Sequence, residues 1–262
     1  MTEGLTVIVP NYNKEGYLVK CIESIERQTY KPEAVIVVDD GSTDGSKEII
    51  DRMTKVYPNL RAHYKPQNSG VSSTRNIGLS LVNTEYVTFI DADDHYCNRA
   101  KLALEMEQQK EKGGDIIAYS VTSFYSADGR SHTKKKKRSY YLSGNVYEDL
   151  LITRKWDSIM RDYIVKTETL RAVGGYNEDR DLFEDYELLL KLAAGHEFYC
   201  TGELGTAYTE GAGLSSVNKE EQTRIQEEII NEELRKLDDR CRRNILFKRK
   251  ILLFKRKVRN II

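Results

Sequence analysis

The sequence predicts an α/β fold: a mostly parallel sheet flanked by helices, with a C-terminal helical tail. Three observations lead there. Over the first 120 residues, short continuous apolar runs alternate with helical patterns, as parallel strands buried on both faces require. The polar clusters "PNYN", "DDGSTDGS" and "DADD" follow the first, second and fourth of these runs, where ligands bind outside the carboxyl ends of parallel strands. From residue 217 onward the pattern is helical without interruption.

In chain order, strands are expected at 5–10, 34–40, 60–65, 86–91 and 115–120, with helices at about 14–28, 44–56, 71–82 and 99–111. Thr43 or Asp44 serves as the second helix's N-cap, and Asp94 suits the approach to the fourth. "SADGRSHTKKKKRS" (126–139) reads as a polar loop. Beyond it, "NVYEDLLIT" predicts a short helix and "SIMRDYIVK" a strand. "TETLRAVGGYNEDRD" predicts a short helix stopped by Gly174 and Gly175, and "FEDYELLLKLAAG" a helix closed by Gly195. Asp181 and Glu184 have the spacing of a capping box at its start. A last strand, "LGTAYTE", precedes the tail.

Composition narrows the function classes. The cysteines Cys21, Cys97, Cys200 and Cys241 show no C-x-x-C spacing, which argues against a zinc site or a disulfide framework and for reduced thiols in a cytoplasmic setting. The first residues lack the features of a signal peptide, and no stretch is apolar for the roughly 20 residues of a membrane span. The zero net charge conceals a division: residues 240–262 carry ten Lys or Arg and no acid, which leaves 31 basic against 41 acidic side chains in the first 239.

Crowded carboxylates carry the chemical signal. Asp91, Asp93 and Asp94 stand within four positions at a strand end; a capping role accounts for one of them and leaves two for a divalent cation or nucleotide. Asp39 and Asp40 end the second strand, where a carboxylate can accept hydrogen bonds from a ribose or base. Asp185 lies near a helix N-terminus, whose dipole favours the ionised form of a proton acceptor. No lysine follows the glycines as in a P-loop, and no G-x-G-x-x-G is present.

Taken in order, "VIVPNYN", "VVDDGSTDGS", "NSGVSSTRNIGL", "FIDADD" and "FEDYELLLKL" resemble the family 2 glycosyltransferases of the GT-A fold, over roughly residues 5–216. That resemblance implies an inverting transferase using a nucleotide-diphosphate sugar, a UDP-sugar first of all, and a divalent cation, Mn²⁺ or Mg²⁺. It implies nucleotide-sugar contacts at Pro10, Tyr12, Glu15, Asp39, Asn68, Arg75, Asp91 and Asp93, with Asn76 beside Arg75. Asp93 becomes the metal ligand and Asp185 the catalytic base. The expected organisation is a 1–216 transferase domain, with 1–120 on the donor side and 121–216 on the acceptor side, and a 217–262 extension. Many relatives carry a histidine where this chain has Gly211; Glu210 is its neighbour. Trp156 is the only tryptophan and suits either a sugar platform or the core.

In the tail, Phe247, Ile251, Phe254, Val258 and Ile261 form one apolar stripe among basic residues. Two readings stand: attachment to an anionic membrane surface at the inner face, or folding back on the acidic segment 217–239 or the body. The expected partners are the donor and a glycan or lipid-linked acceptor, with no nucleic acid. A sugar nucleotidyltransferase and a non-catalytic nucleotide-sugar-binding subunit remain as alternatives. The basic run 134–138 is read as a solvated loop.

Overall fold

The computed structural model describes residues 1–125, 141–153, 159, 161–180, 182–209 and 219–259. The 126–139 loop, Trp156, Asp181, Glu210, Gly211 and the stripe's side chains beyond residue 252 lie outside the described residues.

The first half alternates as its sequence requires: β1 (Thr2–Asn11), α1 (Glu15–Glu26), β2 (Ala34–Asp39), α2 (Ser46–Val56), β3 (Leu60–Tyr64), α3 (Val71–Ser80) and β4 (Thr84–Phe89). There follow β5 (His95–Tyr96), α4 (Lys101–Glu111), β6 (Ile117–Tyr125), α5 (Tyr147–Thr153), β7 (Val165–Lys166), α6 (Thr167–Ala172), α7 (Glu184–Ala193), β8 (Phe198–Thr209), α8 (Lys219–Lys236) and α9 (Asp239–Arg259). The main sheet has the order β3-β2-β1-β4-β7, parallel except for β7 at one edge.

Strand alternation feeds two cores. Leu5, Val7 and Val9 of β1 pack with Leu18, Ile22 and Ile25 of α1 and with Ile50 and Met53 of α2. Ile8 points the other way, into a core shared with Leu79, Phe89, Tyr186 and Leu189. At about 1.5–3 kcal/mol for each fully buried large apolar side chain, these faces fix the register of the central strands.

Several expectations need correction. The 115–120 segment does not join the main sheet: β6 forms a second sheet of order β5-β8-β6. Among the described residues of "SIMRDYIVK", Val165–Lys166 is strand, an antiparallel edge on β4. The tail is two helices, because residues 237–238 break it between α8 and α9. Gly45, not Thr43 or Asp44, is the N-cap of α2, although Asp44 Oδ1 accepts the Ser46 N–H at 3.0 Å. Asp94 does not cap α4; it accepts the backbone N–H of Thr209 instead. At α7 Phe183 is the N-cap, in the left-handed conformation at φ 62°, so Glu184 is the first helical residue rather than the third.

The extension packs on the body. Ile229, Ile230 and Leu234 of α8 and Ile245 of α9 are buried in the same core as Phe89. Arg249 of α9 is 8% exposed and holds both Glu227 oxygens, at 2.9 and 2.6 Å. The outer face of α9 stays open, with Leu246 45%, Phe247 64% and Ile251 40% exposed. Among the described residues no helix is long and apolar enough to cross a membrane.

Candidate active site

Parallel pairing sets the ends of β1, β2 and β4 side by side, so three polar loops meet at one edge of the sheet. The first two are tied together. Asn11 Nδ2 donates to Asp39 Oδ1 at 2.7 Å, and Ser42 adds its hydroxyl at 2.6 Å and its N–H at 3.0 Å. Asn13 accepts from Thr43 N, and Glu15 Oε2 accepts from Gly45 N at 2.6 Å. Pro10 is buried within β1, whereas Tyr12 is 43% exposed on the loop that follows.

Asp39 and Asp40 separate by side-chain direction. Asp39 faces the β1 loop; Asp40 is buried against Lys65 at 2.5 Å and accepts the N–H groups of Ser69 and Gly70. Asp40 therefore anchors the loop carrying exposed Asn68. Gly41, at φ +70°, lets this turn pass under that loop: a Cβ there would meet the Gln67 carbonyl carbon at 2.7 Å.

Asp91, Asp93 and Asp94 offer carboxylate oxygens that all lie within 4.8 Å of one another. Each has a different counter-group. Asp91 takes Arg75 Nη2 at 2.8 Å and an ion pair from Arg161. Asp93 Oδ2 takes the Lys14 ammonium at 2.8 Å. Asp94 takes the Thr209 N–H at 2.9 Å, and the Thr209 hydroxyl donates to the Asp93 carbonyl. Burial pushes Asp91 up, but the Arg161 and Arg75 guanidiniums outweigh it and hold the carboxyl well below the usual range. Burial, with Asp91 and Asp93 close by, drives Asp94 well above that range.

These residues fit a hard divalent cation. The donor set is all carboxylate oxygen, with three carboxylates converging within 4.8 Å of one another. Asp91 is already matched by two guanidiniums, so Asp93 and Asp94 are the residues that would hold the ion.

Asp185 stands opposite, in the first turn of α7. Its Oδ1 accepts the Tyr186 N–H at 2.8 Å, and its Oδ2 pairs with Arg161 Nη2 at 3.1 Å. Glu184, one position earlier, turns inward to Arg75 Nη1 at 2.8 Å. Burial and the neighbouring Asp185 raise the Glu184 carboxyl against the pull of Arg75 and Arg161.

Besides Lys14, sequence reasoning missed Arg161 as a site residue. It bridges Asp91 and Asp185, and with Asp94, Thr122, Thr206 and Tyr208 it lines a small cleft. No motif marks it; only the folded chain brings it between two carboxylates. The fold brings together Asp91, Asp93, Arg75 and Asp185, and places Asp39, Tyr12 and Glu15 on the adjoining loops. Arg75 itself is 1% exposed, with its guanidinium 5.0 Å from the Tyr176 ring centre. Asn76 faces away, bonding Tyr176 and Glu178 in the α6–α7 loop.

Comparison with known proteins bears on the family and the fold. The model of the family described as "Glycosyl transferase family 2" matches residues 6–166. Among curated proteins, the glycosyltransferase GlyA of Streptococcus pneumoniae is 36% identical over 70% of this chain and 25% of its own length. GlyG of the same organism is 32% identical over 58% of this chain and 48% of its own. The teichoic acid poly(glycerol phosphate) polymerase of Staphylococcus epidermidis is 32% identical over 71% and 25%. The chain thus matches between a quarter and about half of the length of these relatives. In fold it is similar to S. aureus TarS 1–349 in complex with UDP-GlcNAc, with TM-score 0.71 and 20% identity over 95% of this chain and 71% of that one.

Proposed function

The chain belongs to glycosyl transferase family 2, and on that premise we propose that it is a metal-dependent inverting glycosyltransferase. It moves a sugar from a nucleotide-diphosphate donor, a UDP-sugar first of all, to a hydroxyl of a glycan or lipid-linked acceptor in cell-surface polysaccharide or teichoic acid synthesis. The observation that carries the reading is Asp185 facing the carboxylate cluster across Arg161.

Each residue then has a task. Asp39, held rigid by Asn11 and Ser42, receives the base, and exposed Tyr12 lies against it, with Pro10, Glu15 and Asn68 shaping the pocket. Asp91, fixed by two arginines, accepts from the ribose, and Arg75 keeps it oriented. Asp93 and Asp94 would hold Mn²⁺ or Mg²⁺, which would supply positive charge to the departing diphosphate. Asp185 takes the proton of the acceptor hydroxyl as its oxygen attacks the anomeric carbon from the face opposite the diphosphate. One displacement breaks the bond to the diphosphate oxygen and inverts that carbon. Residues 1–120 serve the donor and 121–216 the acceptor.

Nucleotide release from UDP-, GDP- and dTDP-sugars, with Mn²⁺ or Mg²⁺ and with EDTA, tests this. Release of a nucleoside diphosphate that needs metal and Asp93 is the expected result, with Asp93→Asn inactive. Asp185→Asn should keep UDP affinity while losing about 10²-fold or more in transfer. Pyrophosphate released from a nucleoside triphosphate and a sugar 1-phosphate would favour the sugar nucleotidyltransferase; UDP affinity without turnover would favour the binding subunit.

The exposed face of α9 supports a second part of the proposal, attachment to an anionic membrane at the cytoplasmic face. Leu246, Phe247 and Ile251 lie outward in a segment with ten basic residues and no acid. Deleting 240–262 would also strip buried Ile245 and Arg249 from the core, so outward substitutions are the better probe. Phe247→Glu with Ile251→Glu should release the protein from phosphatidylglycerol liposomes; unchanged sedimentation refutes the attachment.

A further inference from the structure

We propose that Lys14 couples cation uptake to donor uptake, by competing with the divalent ion for Asp93 and then serving the diphosphate. The inference rests on the reading of Asp93 as a cation ligand.

Lys14 closes the loop after β1. Its carbonyl accepts the N–H groups of Tyr17 and Leu18, both at 3.0 Å, and its own N–H reaches Ser46 Oγ. The backbone is therefore set at the head of α1, and the side chain crosses to Asp93 Oδ2 at 2.8 Å. It differs from the other cations of the site. Arg75 is buried between Asp91 and Glu184, and Arg161 is tied to both Asp91 and Asp185. Lys14 is 23% exposed at its side chain, and lysine is a mobile point charge on a long flexible stem.

A divalent ion on Asp93 puts like charge beside this ammonium and removes the carboxylate it neutralises. The ion alone must therefore displace Lys14. When the ion arrives with a nucleoside diphosphate, the displaced ammonium gains phosphate oxygens in place of Asp93, since it shares the Asn11–Lys14 loop with the groups around Asp39. Ion and donor then favour each other's binding, and the coupling is reciprocal.

The test is Mn²⁺ affinity, by electron paramagnetic resonance or calorimetry, with and without UDP, in wild type, Lys14→Gln and Lys14→Arg. Lys14→Gln is expected to bind Mn²⁺ alone about fivefold tighter than wild type. It should also lose most of the extra Mn²⁺ affinity that UDP confers, with UDP in saturating Mn²⁺ bound about fivefold more weakly. Lys14→Arg keeps the wild-type pattern. Unchanged or weaker Mn²⁺ binding by Lys14→Gln overturns the proposal while leaving the transferase reading intact. Absence of Mn²⁺ binding in every form, with UDP present, overturns the cation reading and this one with it.

Discussion

Arg75 and Glu184, 109 residues apart in the chain, meet at 2.8 Å through Nη1 and Oε1. The contact docks the first turn of α7 against α3, and the other guanidinium nitrogen of Arg75 holds Asp91. One buried arginine thereby sets the spacing between the carboxylate cluster and Asp185.

Replacing Arg75 with methionine leaves half-buried Asp91 and buried Glu184 with one fewer counter-charge. The expected cost is about 3–5 kcal/mol of stability, read from urea unfolding. Arg75→Lys cannot fork to both carboxylates and should recover only part of it.

Arg161 presents the opposite case, a cation on the cleft wall rather than in the core. Arg161→Gln should reduce kcat by about 10-fold or more and raise the Kd for UDP by a smaller factor, because Asp185 loses its positioning partner whereas Asp91 keeps Arg75. Steady-state kinetics alongside calorimetry separate the two effects, and guanidinium added to Arg161→Ala should restore part of the rate.

Stability should depend on pH through Glu105. Burial pushes its carboxyl up to about 7 even with Lys101 at 2.8 Å, against an ordinary value of 4.5. Asp162 and Tyr96 face the same pair. The folded state holds the proton more tightly than the unfolded one, so this contribution is full below about pH 4.5 and is lost by about pH 7, roughly 3 kcal/mol in all. Urea midpoints measured from pH 4.5 to 7.5 should fall accordingly, and Glu105→Gln should flatten the slope.

Gly41→Ala tests the turn beneath the loop that carries Asn68. Its φ of +70° and the 2.7 Å approach to Gln67 predict a loss of about 1–3 kcal/mol, seen as a lowered Tm. UDP affinity should drop as well, since the displaced segment carries Asn68.

The sequence by itself determined the alternation of β1 to β4 with their helices, because buried parallel strands and amphipathic helices write their periods locally. It also marked Asp39, the Asp91–Asp94 cluster and Asp185, since strand ends and helix starts are where loop carboxylates meet ligands. Only the tertiary structure decided what neutralises them. The partners are Lys14 for Asp93, Arg161 for Asp91 and Asp185, and Lys65 for Asp40, none of which belongs to a local pattern. The second sheet of β6 and β8 and the inward turn of Ile245 and Arg249 in α9 were likewise decided by packing. Period and turn chemistry act over a few residues, whereas an ion pair between positions 75 and 184 depends on which surfaces the whole chain buries.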